Sequence, residues 1–431
     1  MKPAFKASEP VIAPASQAVP GTDDVQVRRR WIILSLLLLI TVINFIDRQT
    51  LSVLAPVLRQ RLHLSNTQYG RVVSVFQFGM MSGEFPMGWV MDNWGVRLGL
   101  GGAVLWWSLA TAAQSATRSG MQLGLVRYWM GTGESGNYPG GIKTIFRIFG
   151  RAERTLAIGI FNTGSMVGAT IAPPLVVYLA QRYGFRSAFL VPAALGLFWV
   201  PLWIVNVRGT EPRQREHAQT ISVRRLLSGS SAWAVMLCRF FIGPVMQFYW
   251  YWIPSYLFEA RHLTLTQVGF LGWIPFLLGD VGGILGGWCA GLLQRRGLST
   301  YNVRRITMLS SAALCMVSLA VPFLRSAAAA FLAIGLAMLA DNFLSANMFG
   351  AVTDLFADHA VGRATGLTGV AGGLSGLLFP LLTGFLVDRY SYAPVFVLIA
   401  IMPLAGASLL FVVGRRYRSP ELSIPAGWLQ E

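Results

Sequence analysis

The stretch WIILSLLLLITVINFIDR, residues 31–48, is interrupted only by Ser35 and Thr41 as far as Ile43, and then ends in Asn44-Phe45-Ile46-Asp47-Arg48. The apolar run around it, about 30–55, exceeds the roughly 20 residues needed to cross about 30 Å of hydrocarbon. A charge near the middle of such a helix costs about 2.5–3.5 kcal/mol on insertion scales and is seldom kept without a task. Residues 1–30 mix Pro, Ala, Ser and charge without an apolar core, so this first run is expected to remain as a permanent span rather than a cleaved leader.

The rest of the chain repeats the pattern. Hydrophobic residues make up 54% and charged residues 12% of 431, and the mean hydropathy of +0.55 leaves too little polar surface for a water-soluble protein. Apolar runs lie at roughly 30–55, 68–91, 98–117, 120–146, 156–181, 187–207, 231–258, 268–293, 305–324, 327–355, 364–388 and 392–414. Their length and composition predict an all-α integral membrane protein with twelve transmembrane helices, both termini on one side of the bilayer. Cytoplasmic termini place 23 of the 35 Lys and Arg in tails and inner loops and 8 in outer loops, with Arg48, Arg71, Arg127 and Arg239 in or at spans. This topology accounts for the net charge of +17, so nucleic acid is not an expected partner. With 32 Arg against 3 Lys, a bacterial inner membrane is the expected location.

The polar segment 208–230 divides the spans six and six. His63-Leu64, Thr67-Gln68-x-Gly70 and Gly88-Trp89 recur as His262-Leu263, Thr266-Gln267-x-Gly269 and Gly287-Trp288, at an offset of 199. Further on the offset is 207, pairing Glu134 with Asp341, Gly159 with Gly366, Pro173 with Pro380 and Phe189 with Phe396. A loop about eight residues longer near 297–304 would explain the change. The expected organisation is a tail over 1–29, a six-helix bundle over 30–207, a linker over 208–230, a second bundle over 231–415 and a tail over 416–431. Parallel repeats of this kind place the binding site between the halves near the midplane.

Four more acids lie within spans, Glu84, Glu134, Asp280 and Asp341, and Arg127 stands seven residues before Glu134. Helical spacing puts Asn44, Asp47 and Arg48 on one face of the first span and Arg127, Glu134 and Asn137 on one face of the fourth. A guanidinium binds a carboxylate through two parallel hydrogen bonds, so Arg48 or Arg127 suits an organic anion. A buried carboxylate beside such an arginine can take and release a proton as solvent access changes. Static ion pairs, Asp47 with Arg48 and Arg127 with Glu134, are the alternative. Gln77, Asn162, Ser165 and Gln247 could bond sugar hydroxyls or tie helices together. Within Tyr249–Trp252, Tyr251 could stack on a sugar ring, or the run could form an interfacial belt. Asp341 and Ser345, four apart, could line the cavity from the second half or form a packed seam. Glu84 and Asp280, in glycine-rich helices, suggest gating or packing, and Lys143 and Arg147 suggest anchors at the inner leaflet. Cys238, Cys289 and Cys315 lie in apolar runs without metal-ligand spacing, and no phosphate loop or nucleophile–histidine set is present, so no enzyme, metal or cofactor is expected.

Gly88, Asp92, Gly95 and Arg97 after the second span resemble the inner-loop signature of the major facilitator superfamily, whose gating residues Asp92 and Arg97 would match. Asn44-Phe45-Ile46-Asp47-Arg48 with Ala55-Pro56, Gly133-Glu134 with Pro139 and Lys143, Glu153-Arg154, Phe161-Asn162-x-Gly164-Ser165 and Ala172-Pro173-Pro174-Leu175 resemble its anion:cation symporter family. Val387-Asp388-Arg389-Tyr390-Ser391-Tyr392 looks most like the hexuronate-type permeases. The resemblance covers about 30–415. It implies symport of protons with a small organic anion such as a hexuronate or aldonate, by a monomer in the lipid bilayer. By the same resemblance Asp47 and Glu134 couple protons, Arg48 contacts the substrate carboxylate with Asn44 and Phe45 beside it, and Arg127 binds substrate or holds Glu134 between turnovers. A permease for another carboxylate, a non-transporting sensor and a multidrug exporter are the competing readings.

Overall fold

The structure, a computed structural model, describes residues 22–208, 223–356 and 358–413, and these are almost wholly helical. In lipid a backbone must satisfy its own hydrogen bonds, and long runs of Leu, Ile, Val, Phe and Ala do so as helices. The first six passes are α1 (Thr22–Val53), continued by α2 (Ala55–Leu62), then α3 (Asn66–Asn93), α4 (Gly95–Gln114), α5 (Gly120–Glu134) with α6 (Asn137–Ile148), α7 (Arg151–Tyr183) and α8 (Ser187–Asn206). After α9 (Val223–Leu227) come α10 (Ser230–Tyr251) with α11 (Ile253–Glu259), α12 (Leu265–Leu271) with α13 (Ile274–Arg295), and α14 (Thr300–Cys315), extended by a 3-10 segment over Met316–Phe323. The last three passes are α15 (Ala327–Leu355), α16 (Asp358–Arg389) and α17 (Ala393–Val413). Ten of the twelve are long and apolar enough to span by length and composition. The other two are the polar pass α3, with Arg71, Glu84 and Asp92, and the pass α5–α6, interrupted at Ser135–Gly136.

Some expected boundaries move. Helix α1 starts at Thr22, inside the expected tail, and α9 occupies part of the expected linker. The other tail and linker residues, 1–21, 209–222 and 414–431, lie outside the described residues. The change of offset is not one long loop: the connection corresponding to Trp94 is Arg296–Ser299, only three residues longer, and the remainder is taken up within the helices.

The internal repeat reappears as geometry. His63 and His262, 199 apart, both adopt left-handed backbone, with φ 51° and 55°. Ser65 with Gln68 and Thr264 with Gln267 then form matching capping boxes that start α3 and α12. Gly70 in α3 packs against the Pro380 carbonyl of α16, where a Cβ would overlap it, and Gly269 in α12 packs against the Val177 side chain and the Pro173 carbonyl of α7. Both contacts join one half to the other through equivalent residues.

These contacts cluster at the end of the bundle opposite the termini. There Asp388 of α16 accepts hydrogen bonds from the backbone and side chains of Asn66 and Thr67 at the start of α3. At the pseudo-equivalent corner Gln181 of α7 donates to Thr266 of α12 at 2.9 Å. Arg59 pairs with Glu259, which also accepts from Tyr392 at 3.1 Å. At the terminal end, the ion pairs Arg30–Glu153, Lys143–Asp92 and Arg304–Asp354 each stay inside one half. The two halves therefore meet away from the termini and separate toward them, leaving a crevice open at the terminal end.

Candidate functional site

Helix α1 delivers Asn44, Phe45 and Arg48 to the closed end of this crevice. Arg48 reaches Glu134 of α5 through Nη2 at 2.8 Å and Nε at 3.1 Å, both to Oε2. Its guanidinium lies between the rings of Phe45 and Phe76, 4.9 and 5.5 Å from their centroids. The Arg48 side chain keeps 12% of its surface exposed and that of Glu134 none, so the arginine is the accessible partner. Glu134 Oε1 has no hydrogen-bond partner among the described residues, and Asn44 stands beside this carboxylate. Small residues make that depth possible: Gly131 packs on the backbone of α3 and Gly133 on Trp106 and Trp107 of α4.

Asp47 turns away from the crevice into the first half. It is fully buried, with Thr111 and Trp107 of α4 and the charges of Arg127 and Glu134 around it. None of these neighbours reaches hydrogen-bond geometry with its carboxylate oxygens. Arg127 is also fully buried. It lies 4.3 Å over the Phe76 ring and donates to Met130 Sδ at 3.3 Å, while its Nε and Nη2 remain unpartnered. Neither Asp47 with Arg48 nor Arg127 with Glu134 pairs directly: the ion pair runs from α1 to α5, and Arg48, not Arg127, holds Glu134.

The second half closes over this cluster. Tyr251 is buried in electrostatic reach of Arg48, Arg127 and Glu134. Its carbonyl accepts from Tyr69 of α3 at 2.9 Å. Trp250 meets Phe45 edge to face at 5.6 Å, and Tyr249 and Trp252 are fully buried. Trp250, Tyr251 and Trp252 thus make inter-half contacts and not an interfacial belt, while the Tyr249 hydroxyl pairs with Ser318 within its own half. Gln77 of α3 and Gln247 of α10 converge at Gly376 of α16, where a Cβ would crowd both amides. Asn162 is exposed on the face of α7 that meets α12 farther along at Pro173, so it lines the crevice. Ser165 is half-buried and its hydroxyl bonds the Asn162 carbonyl at 2.6 Å.

In α15, Asp341 is buried with both oxygens unpartnered, and Ser345 is half-buried. Asn347 belongs to a packed seam with Arg304, Thr307 and the Gly286 carbonyl. Glu84 is exposed and Asp280 half-buried, away from the ion pair. At the terminal end Asp92 pairs with Lys143, which is therefore a partner in an inter-helix bridge and not merely a leaflet anchor. Arg97 donates to the Ile204 carbonyl of α8 at 3.0 Å. Among the described residues no group of His, Cys, Asp and Glu could hold a metal. Trp107 and Thr111, four apart on one face of α4 beside Asp47, and Arg239 of α10, in electrostatic reach of Asp341, lie outside the set of site residues expected from sequence.

A hexuronate transporter of Escherichia coli (strain K12) is 28% identical over 406 residues, covering 89% of this chain and 94% of that protein. A D-galactonate transporter of Escherichia coli O6:H1 is 26% identical over 428 residues, covering 93% and 98%. A protein described as a probable galactarate/D-glucarate transporter of Bacillus subtilis (strain 168) is 24% identical over 438 residues, covering 92% and 96%. Among solved structures, a bacterial homolog of the human lysosomal transporter Spinster, inward-facing and occupied, superposes with a TM-score of 0.77 at 18% identity, covering 91% of this chain and 99% of that one. The sequence profile of the Major Facilitator Superfamily matches residues 37–339 and 297–430. With twelve passes in two related halves around a central crevice, the chain belongs to the major facilitator superfamily, a family of membrane transporters.

Proposed function

We propose that this protein takes up a sugar-acid anion, such as a hexuronate or aldonate, together with protons, by alternating access. The Arg48–Glu134 ion pair at the closed end of the crevice carries the reading, because its cation is the reachable member. A substrate carboxylate that enters displaces Glu134 from Arg48 and takes over its hydrogen bonds. The released Glu134 carboxylate, left without its counter-charge, binds a proton at Oε1 or Oε2. Substrate and proton then occupy the site together, and neither leaves the other's charge uncompensated in the low-dielectric interior. Asp47 serves as the second proton acceptor inside the first half, steadied by Arg127. Asn44, Phe45, Gln77, Asn162, Ser165, Gln247, Tyr251, Asp341 and Ser345 form the wall that meets hydroxyls and the sugar face.

Three relatives whose names refer to sugar acids support the substrate class. The distribution of Arg and Lys supports a bacterial inner membrane with cytoplasmic termini, and on that orientation this conformer is open to the cytoplasm. Asp92 with Lys143, and Arg97, then belong to the cytoplasmic gate. The protein works as a monomer in the bilayer, with a small organic anion and protons as its partners. Purified protein in proteoliposomes should accumulate labelled glucuronate or galactonate several-fold when the outside is made acidic. Accumulation that ignores the pH gradient would contradict coupling, and no uptake of either acid would contradict the substrate class.

A further inference from the structure

The second half holds a charge arrangement of which the function above uses only Asp341, leaving its arginine without a role. Helices α10 and α15 occupy the places of α1 and α5 in the repeat, and Asp341 is the equivalent of Glu134 at the offset of 207. The equivalent of Arg48 is Gln247, yet an arginine is present on the same helix, eight residues earlier, at Arg239. Eight residues correspond to about 12 Å along the axis, toward the open end of the crevice. The Arg239 side chain reaches back along α16: a Cβ at Gly372 would lie 3.0 Å from its Nε, one turn from the Gly376 position where Gln77 and Gln247 converge. Its guanidinium lies 5.5 Å from the Phe349 ring, in electrostatic reach of Asp341, and no ion pair or hydrogen bond among the described residues engages it. Asp341 is 1% exposed and its two oxygens are unpartnered. A half-buried guanidinium with its donors unused, a buried acid behind it and a glycine-lined approach form an anion anchor on the wall opposite Arg48.

We propose that Arg239 binds a second carboxylate at the distal end of the transported molecule, which makes aldaric acids, with a carboxylate at each end of the sugar chain, the preferred substrate class. Arg48 takes one end and Arg239 the other, so the substrate bridges the two halves. Asp341, buried in electrostatic reach of Arg239 but not bonded to it, leaves the guanidinium free for the incoming carboxylate and competes with that carboxylate only through its charge. This inference rests on the sugar-acid reading above.

The test is uptake of labelled glucarate and labelled glucuronate by the full-length protein in proteoliposomes, with KM measured for each. The wild type is expected to carry both and to show the lower KM for glucarate. Arg239→Gln is expected to raise the glucarate KM at least tenfold more than the glucuronate KM, and Arg239→Lys to recover part of the difference. Asp341→Asn, which removes the competing carboxylate, is expected to move the preference further toward glucarate. A wild type that carries glucuronate but not glucarate, or an Arg239→Gln protein in which both KM values change by the same factor, overturns the assignment. If Arg239→Gln does not fold, the wild-type preference and the Asp341→Asn shift decide. Failure to carry either acid defeats the sugar-acid reading and this one with it.

Discussion

Arg48 and Arg127 both lie near Glu134, but only the Arg48 side chain keeps exposed surface, so the partner exchange we propose falls to Arg48. Its planar fork matters as much as its charge: two nitrogens already hold one carboxylate oxygen at 2.8 and 3.1 Å. Arg48→Lys keeps the charge and loses the fork, so uptake KM should rise about tenfold or more, with the protein still folded by thermal denaturation. The charged positions themselves were legible, since Asp, Glu and Arg inside apolar runs stand out in any reading. Their pairing was not. Adjacent residues such as Asp47 and Arg48 point about 100° apart on a helix, and residues seven apart such as Arg127 and Glu134 share a face but lie about 10 Å apart along it. Only tertiary packing could bring α1 to α5, and the glycines at 131 and 133 that allow it carry no sign of their partner.

At the scale of elements, closure depends on α3 against α16 and α7 against α12. Gly70 meets the Pro380 backbone directly, and Gly269 meets the Val177 side chain with the Pro173 carbonyl behind it, so both serve as pivots. Gly70→Val places a branched side chain into the Pro380 carbonyl and should force these helices apart at the closed end. A cysteine introduced at Gln77 should then react faster with a membrane-impermeant thiol reagent added on the side opposite the termini than the same cysteine in a Gly70 background. Unchanged labelling would contradict the pivot. The elements were readable where local chemistry fixed them, as in the capping boxes after His63 and His262 and the apolar length of the passes. The breaks at Ser135–Gly136 and Gly272–Trp273 fall inside continuous apolar runs, where hydropathy alone does not mark them, although Pro275 in the first turn of α13 was an available signal for the second.

For the whole molecule, two six-helix halves that touch at one end and part at the other are a two-state device. In the proposed cycle, substrate and proton act by binding one arrangement better than the other. The repeat in the sequence foretold two equivalent halves, and the chemistry of the first half stood out because three of its charges have neutral counterparts in the second. The structure adds Arg239 beside Asp341 to that second half, displaced by two turns, a position that residue-by-residue matching of the repeats could not reveal. In the cycle we propose, Glu134 exchanges Arg48 for a proton at each turnover. Glu134→Gln cannot make that exchange, and its effect on two modes of transport is the direct measurement. In proteoliposomes the variant should retain exchange of labelled for unlabelled sugar acid under equal pH while losing accumulation driven by an imposed pH gradient. Gradient-driven accumulation that survives at the wild-type level in Glu134→Gln would contradict the account.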